Sequence, residues 1–187
     1  MKRLVFVTGN ATKFHAAAVI CQQFGVQLAQ MSLDIPEIQA TDGEIIARDK
    51  ADKAYAAFQK PLVVSDDSWL IPGLNDFPGP YMKFMNDWLG EDDWLHLTAP
   101  LTDRRVVLRQ YAVYQDARMQ QAFYRDVEGI LLSEPLGSHE FKAMTLVSFD
   151  GGKTSAAQAI STRQSALVYA KRETTWHDLC TWLATQK

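Results

Sequence analysis

Leu4-Val5-Phe6-Val7-Thr8-Gly9-Asn10-Ala11-Thr12-Lys13 sets the fold of this chain. Leu4 to Val7 are apolar and mostly β-branched or aromatic, which predicts a buried strand. Thr8, Gly9 and Asn10 form a small polar turn. An alanine-rich helical run then extends from Ala11 to about Phe24. A strand that turns into a helix through a glycine leaves backbone N–H groups pointing out of the helix N-terminus, a natural anion site. Lys13 falls in the first helical turn, where the helix dipole opposes a cation. Its place makes sense if an anion lies between it and the helix end. The same residues also fit an ordinary strand–helix turn with an exposed lysine.

Outward from this turn, strand and helix alternate. Val26 to Leu33 reads as a second strand. Gly43 to about Phe58 reads as a helix, and Leu62-Val63-Val64 as a short third strand. A β-α-β-α-β order predicts parallel pairing through right-handed crossovers. Pro78 to Leu89 and Glu91 to Leu97 read as short helices. The second half changes character. Arg105 to Tyr114, Met119 to Leu132 and Glu140 to Phe149 read as longer strands, with a hairpin turn at Gln115-Asp116-Ala117-Arg118. Thr174 to Thr185 is an amphipathic helix with Trp176, Leu179, Cys180 and Leu183 on one face.

With 187 residues, 47% of them hydrophobic and 22% charged, the chain fits one domain with a sizeable core, over residues 1–187 and with two lobes. The net charge of −3 gives no footprint for duplex nucleic acid. Cys21 and Cys180 stand far apart, in apolar helical surroundings and without zinc spacing, which predicts free core thiols in a reducing cytoplasm. No run approaches the length needed to span a membrane.

Ser65-Asp66-Asp67-Ser68 follows the third strand. Acids at the C-terminal end of a buried strand stand where open α/β sheets bind ligands. In a regular strand the two side chains point to opposite faces, so only a bend brings both to one site. A solvated turn fits these residue types equally. Glu37 follows Pro36 just after the second strand and is expected at the same sheet edge. Glu37, Asp66 and Asp67 are hard oxygen donors suited to magnesium, which needs few protein ligands and takes substrate phosphates as the rest. Magnesium beside a phosphate-binding turn points to phosphoryl or nucleotidyl hydrolysis.

These residues resemble the inosine triphosphate pyrophosphatase (ITPase) family, which hydrolyses non-canonical purine nucleoside triphosphates. Thr8-Gly9-Asn10-Ala11-Thr12-Lys13 matches its T/S-G-N-x-x-K signature. Ile35-Pro36-Glu37-Ile38-Gln39 is similar to its acidic metal-ligand segment. Ala47-Arg48-Asp49-Lys50-Ala51 resembles its helix with a phosphate-directed lysine, and Val64-Ser65-Asp66-Asp67-Ser68 its acidic strand end. Phe77-Pro78-Gly79-Pro80-Tyr81-Met82-Lys83 resembles its F/L-P-G-x-Y segment. The resemblance implies an α/β fold, with an elongated mixed central sheet, flanking helices and two lobes around a cleft. It also implies a homodimer.

On this resemblance, Thr8, Asn10 and Lys13 cradle a triphosphate and Lys50 supplies a second cation. Glu37 and Asp67 hold Mg2+, and Asp66 or Asp67 orients or deprotonates the attacking water. Ser161 and Arg163 belong to the substrate site, with Arg163 the best remaining contact for the base.

The second half departs from the pattern. The family's F-G-Y/W-D-P motif falls at Phe141-Lys142-Ala143-Met144-Thr145. Its Ser-His-Arg motif falls at Ser161-Thr162-Arg163, and a preceding lysine is Ala157. The glycine after the acidic pair is Trp69, either reshaping the cleft floor or packing in the core. The expected function is therefore a magnesium-dependent nucleoside triphosphate pyrophosphatase with weak preference for inosine and xanthosine triphosphates. The rivals are a catalytically impaired nucleotide-binding or regulatory module, and a pyrophosphatase with a changed nucleotide substrate. Gly151-Gly152-Lys153-Thr154 has the ending of a phosphate-binding glycine loop, but Val147 stands at its leading glycine, which favours a hairpin or loop. His15, His96, His139 and His177 have no ligand spacing and read as surface or helix-face residues.

Overall fold

The computed structural model describes residues 2–162 and 174–186. Their elements are β1 (Lys2–Val7), α1 (Ala11–Gln23), β2 (Val26–Met31), α2 (Gly43–Phe58), β3 (Leu62–Ile71), β4 (Phe77–Gly79), α3 (Met82–Trp88), α4 (Glu91–Thr98), β5 (Arg105–Gln115), β6 (Gln120–Leu131), β7 (Val147–Ser148), α5 (Ala156–Ser161) and α6 (Thr175–Thr185). The sheet order is β2-β1-β3-β5-β6-β7, with β4 on β3. β1 pairs in parallel with both β2 and β3, whereas β3–β4 and β6–β7 are antiparallel. The sheet is therefore mixed and the fold α/β. The chain divides into two compact units.

The first unit comprises Met1–Asp67, Gln110–Arg125 and Glu173–Lys187. Period-two alternation sends its strand residues to two cores. Leu4 and Phe6 of β1, Val63 of β3, and Ala112 and Tyr114 of β5 pack with Ala17 and Cys21 of α1 and with Leu179, Cys180 and Leu183 of α6. Val7, Leu62, Val64, Tyr111 and Val113 pack on the other face with Ala47, Ala51 and Ala54 of α2. Three alanines on one helical stripe let α2 lie close to the sheet. Trp176 and Trp182 border the α6 core, against Phe6 and Tyr114 respectively. Cys21 and Cys180 are free thiols with their sulfurs 3.4 Å apart. The β5–β6 hairpin closes as the sequence predicts: Asp116 Oδ1 accepts from the N–H of Arg118 at 2.8 Å and of Met119 at 3.0 Å.

The second unit comprises Ser68–Arg109 and Asp126–Arg172. Its core joins Trp69 and Ile71 to Met82, Trp94, Val106, Leu108, Val127, Leu131, Leu146 and Val147. Trp69 is thus a core residue, with its ring 6.0 Å from that of Phe149. Gly129 makes the β6–β7 approach possible, since a Cβ there would come within 2.7 Å of the Ser148 carbonyl oxygen. Trp88 is exposed, at 73%.

Three expectations from the sequence are corrected. The helix expected from Pro78 starts only at Met82, because Phe77–Gly79 pairs with β3 as β4. β3 does not stop at Val64 but runs to Ile71, so the acidic pair lies within a strand. The strand expected over Glu140 to Phe149 is instead a 3-10 turn, Lys142–Thr145, followed by the short β7. The buried Thr145 hydroxyl donates to the Lys142 carbonyl at 2.8 Å and helps close that turn. Gly151 and Gly152 have φ of 79° and 89°. The N–H groups of Lys153 and Thr154 donate to Asp150 and that of Gly152 to Ser148 Oγ, so this loop keeps no cradle for phosphate.

Candidate active site

The charged residues Lys13, Glu37, Lys50, Asp66 and Asp67 lie in the first unit. The β1–α1 turn is held first. Thr8 N–H donates to the Met31 carbonyl at 2.8 Å, and Gln30 Nε2 to the Thr8 carbonyl at 3.1 Å. Thr8 Oγ1 accepts from Asn10 N–H at 3.1 Å. Asn10 is the N-cap of α1, its Oδ1 accepting from Lys13 N–H at 3.0 Å. The Ala11 and Thr12 N–H groups, lacking intrahelical acceptors, are left at the helix end.

The side chain of Lys13 turns back from this first turn to Asp67 of β3, with Nζ 2.8 Å from Oδ2. Burial disfavours the ammonium, but the charge and hydrogen bond of Asp67 outweigh it, so the Lys13 pKa is raised. Asp66 and Glu37 add to that effect.

α2 supplies the second cation. Asp42 caps it, accepting from Glu44 N–H at 2.8 Å. Lys50 Nζ lies 2.5 Å from Glu37 Oε1. Two turns of side chains thus reach the segment after β2, because Lys53 Nζ also donates to the Pro36 carbonyl at 2.8 Å and pairs with Asp49 Oδ2 at 2.7 Å. Lys53 was not among the residues singled out from sequence. Its signal was present: Asp49 precedes it by four residues, and Lys50 by three, on one helix face.

Asp66 is half-buried, and burial pushes its carboxyl up to about 6; Lys50, then Lys13, pull the other way. Asp67 N–H donates to Asp66 Oδ1 at 3.1 Å. The strand needs no bend for both acids to find cations. Successive side chains point to opposite faces, with Asp67 paired to α1 and Lys50 of α2 the strongest charge acting on Asp66. Lys13 pairs with Asp67 and Lys50 with Glu37, and the charges of Glu37, Lys13, Lys50 and Asp67 all act on Asp66. Among the described residues, no three His, Cys, Asp or Glu side chains are arranged to hold a metal ion by themselves. The arrangement presents two ammonium groups, two paired carboxylates and a helix N-terminus, which suits an anion bound together with a cation.

Ser161 ends α5 in the second unit, and its hydroxyl donates to the Gln158 carbonyl at 2.9 Å. Thr162 Oγ1 donates to the same carbonyl at 2.9 Å. Both hydroxyl protons are therefore used within the helix end. Ala157 is buried at 1% exposure. Arg163 lies outside the described residues.

Comparison with known proteins joins these features. Residues 4–171 match the model of the Ham1 family. A dITP/XTP pyrophosphatase of Methanosarcina mazei is 31% identical over 152 residues, which cover 81% of this chain and 83% of that one. A dITP/XTP pyrophosphatase of Saccharolobus solfataricus is 29% identical over 152 residues, covering 81% and 79%. Among solved structures, the Ham1 protein of Staphylococcus aureus superposes with a TM-score of 0.77 over 100% of both chains at 20% identity, a likeness of fold.

Proposed function

The chain belongs to the Ham1 family, and from that premise we propose that it is a nucleoside triphosphate pyrophosphatase, converting a nucleoside triphosphate and water to the monophosphate and pyrophosphate. The observation that carries this reading is the pair of lysine–carboxylate contacts, Lys13–Asp67 and Lys50–Glu37, beside an open helix N-terminus.

The donor set fits a hard divalent cation. Its oxygens are all carboxylate, and Glu37 and Asp67 each hold an ammonium, the kind of charge a cation would replace. Mg2+ takes one or two protein carboxylates and completes its shell with water and phosphate. Glu37 and Asp67 would hold it. When bound, Mg2+ supplies charge neutralisation at the phosphates and acidifies a water.

The chain's own groups do the rest. Asn10 and the Ala11 and Thr12 N–H groups bind phosphate oxygens at the positive end of α1. Thr8 holds that turn in shape. Lys13 and Lys50 add cationic contacts to the triphosphate. Asp66 or Asp67 orients the water that attacks the α-phosphorus and takes its proton. Ser161 belongs to the proposed substrate site, but the base is held weakly, because Ala157 offers no polar group and the Ser161 and Thr162 hydroxyls, donating to the Gln158 carbonyl, offer only lone pairs. Arg163 remains the proposed base contact.

Cytoplasmic placement belongs to the same proposal and is supported by the two free, buried thiols. Among the described residues no helix is long and apolar enough to cross a membrane. The homodimer implied by the resemblance is part of the proposal too, and sedimentation velocity tests it. The activity is tested with purified protein, magnesium and a panel of nucleoside triphosphates, with release of pyrophosphate as the readout. Binding of triphosphates with no pyrophosphate released from any of them would replace this reading by the nucleotide-binding module.

A further inference from the structure

Glu37 lies in residues 32–42, which belong to no helix or strand. Pro36 and Glu37 are both exposed. Something other than a strand ladder or burial must therefore fix the carboxylate. Lys50 does so only while it stays on Glu37 Oε1, and the proposed function draws Lys50 toward phosphate. Ile35 packs against the core beside α2, and Lys53 adds a tie at the main chain of Pro36 itself. The Lys53 ammonium donates to the Pro36 carbonyl at 2.8 Å and is held at 2.7 Å by Asp49 Oδ2, four residues earlier on α2. Pinning that carbonyl fixes the peptide plane from which Glu37 departs, and the proline ring already fixes its own φ.

We propose that Lys53 is a positioning residue for Glu37, holding the Pro36–Glu37 peptide on α2 so that the carboxylate stays in place for a divalent cation when Lys50 turns to the substrate. This rests on the reading of Glu37 as a metal ligand. Asp49 completes the device by orienting the Lys53 ammonium. The direction of the effect separates position from charge. Deleting a cation near a metal site would by charge alone strengthen metal binding. Loss of position weakens it.

The test compares wild type with Lys53→Met, Lys53→Arg, Asp49→Asn and Glu37→Gln. Two quantities are measured: the Mg2+ concentration for half-maximal turnover with kcat at saturating Mg2+, and Mn2+ affinity of the nucleotide-free protein by electron paramagnetic resonance. Lys53→Met should raise the metal requirement and weaken Mn2+ binding about tenfold, the lower end for groups that orient metal ligands, with kcat at saturating metal within about twofold. Lys53→Arg, which keeps a donor for the carbonyl, should restore both. Asp49→Asn, which keeps the ammonium and guards against a misfolded Lys53→Met, should shift both in the same direction by less. Unchanged or tighter metal binding in Lys53→Met and Asp49→Asn overturns the proposal, as does a loss confined to kcat. If Glu37→Gln itself leaves the metal requirement and Mn2+ affinity unchanged, the reading of Glu37 falls. If Glu37→Gln weakens both and Lys53→Met does not, only the positioning role falls.

Discussion

Lys13 Nζ and Asp67 Oδ2 lie 2.8 Å apart, joining the first turn of α1 to β3. A lysine in the first turn of a helix opposes the dipole, and Asp67 supplies the anion that the placement calls for. In the proposed function the contact is exchanged. Asp67 would hold the cation and Lys13 would turn to a phosphate oxygen. Lys50 and Glu37 make the same exchange possible on the α2 side. In the ligand-free protein each of these charges has a partner, which avoids the cost of an unpaired ion.

Asp67→Asn should abolish most turnover while leaving the fold intact. The change removes a ligand charge at constant volume. Steady-state assays at saturating Mg2+ should show kcat reduced by at least about a hundredfold, the scale of losing one group aimed at transition-state charge. Lys13 is 36% exposed and can turn to water, so the lost ion pair should cost no more than about 1 kcal/mol in denaturant unfolding. Near wild-type turnover would remove Asp67 from the machinery.

Asn10 separates helix capping from ligand binding. Its Oδ1 is used by Lys13 N–H, so on the proposed function its amide N–H2 is the end left for a phosphate. Asn10→Asp keeps the cap acceptor but replaces the donors with a negative charge. Melting temperature should hold, while KM for the triphosphate should rise about tenfold or more, the worth of a charge-assisted hydrogen bond. Asn10→Ala should instead lose about 1 kcal/mol of stability as well.

The base should be read loosely. A site built to pair with a base rejects a mismatched one because unpaired buried polar groups cost about 1–3 kcal/mol each. Here Ala157 has no such group, and the Thr162 hydroxyl proton is given to Gln158. The kcat/KM for inosine triphosphate should exceed those for guanosine, adenosine and uridine triphosphates by less than about a hundredfold, or about 2.7 kcal/mol. A larger preference would mean that other residues rebuild a purine pocket.

Acid should loosen the loop after β7. Burial disfavours the Asp150 carboxylate, but hydrogen bonds led by Thr154, and including the Ser148 hydroxyl and Lys153 N–H, hold its pKa down to about 2. A carboxyl depressed in the folded state stabilises it above the ordinary value of about 3.9 and loses that contribution as pH falls through about 2. Asp150→Ala should destabilise by about 1–2 kcal/mol at neutral pH. Its deficit relative to wild type, followed by urea unfolding, should shrink between about pH 4 and pH 2. A deficit that stays constant across that window would show that the carboxylate charge is not what the loop uses.

The parts of the fold legible in the sequence were those with local causes. Thr8, Gly9 and Asn10 announce their turn, and Gly43 to Phe58 announces α2, whose Ala51 and Ala54 are buried whereas its apolar Ile45 is exposed. β3 was read too short because Ser65 to Ser68 are all polar, and polar runs resemble turns. Pairing with neighbouring strands overrides that local preference; Trp69 to Ile71, for example, pair with β4. The stretch from Glu140 to Phe149 misled in the opposite sense, its strand-like residues closing into a turn through Thr145. At the site, the residue types of Glu37, Asp66 and Asp67 were visible, but not which lysine each would meet. That depends on α1 and α2 lying on opposite faces of the sheet. Residue types show the spacing of Lys53 from Asp49 but not its second partner, the main-chain carbonyl of Pro36.

The tryptophans are divided between the units. Trp176 and Trp182 belong to the first, and Trp69, Trp88 and Trp94 to the second. Trp69 and Trp94 are 5% and 2% exposed, against 73% for Trp88. Intrinsic fluorescence can therefore address each unit by itself. A protein keeping only Trp176 and Trp182 reports the first unit, and one keeping only Trp69 and Trp94 reports the second. Trp88 alone gives a solvent-quenched baseline. Coincident denaturation curves from the first two would mark a single cooperative transition. Separated curves would show that the unit carrying the charged site and the unit carrying α5 melt as distinct bodies.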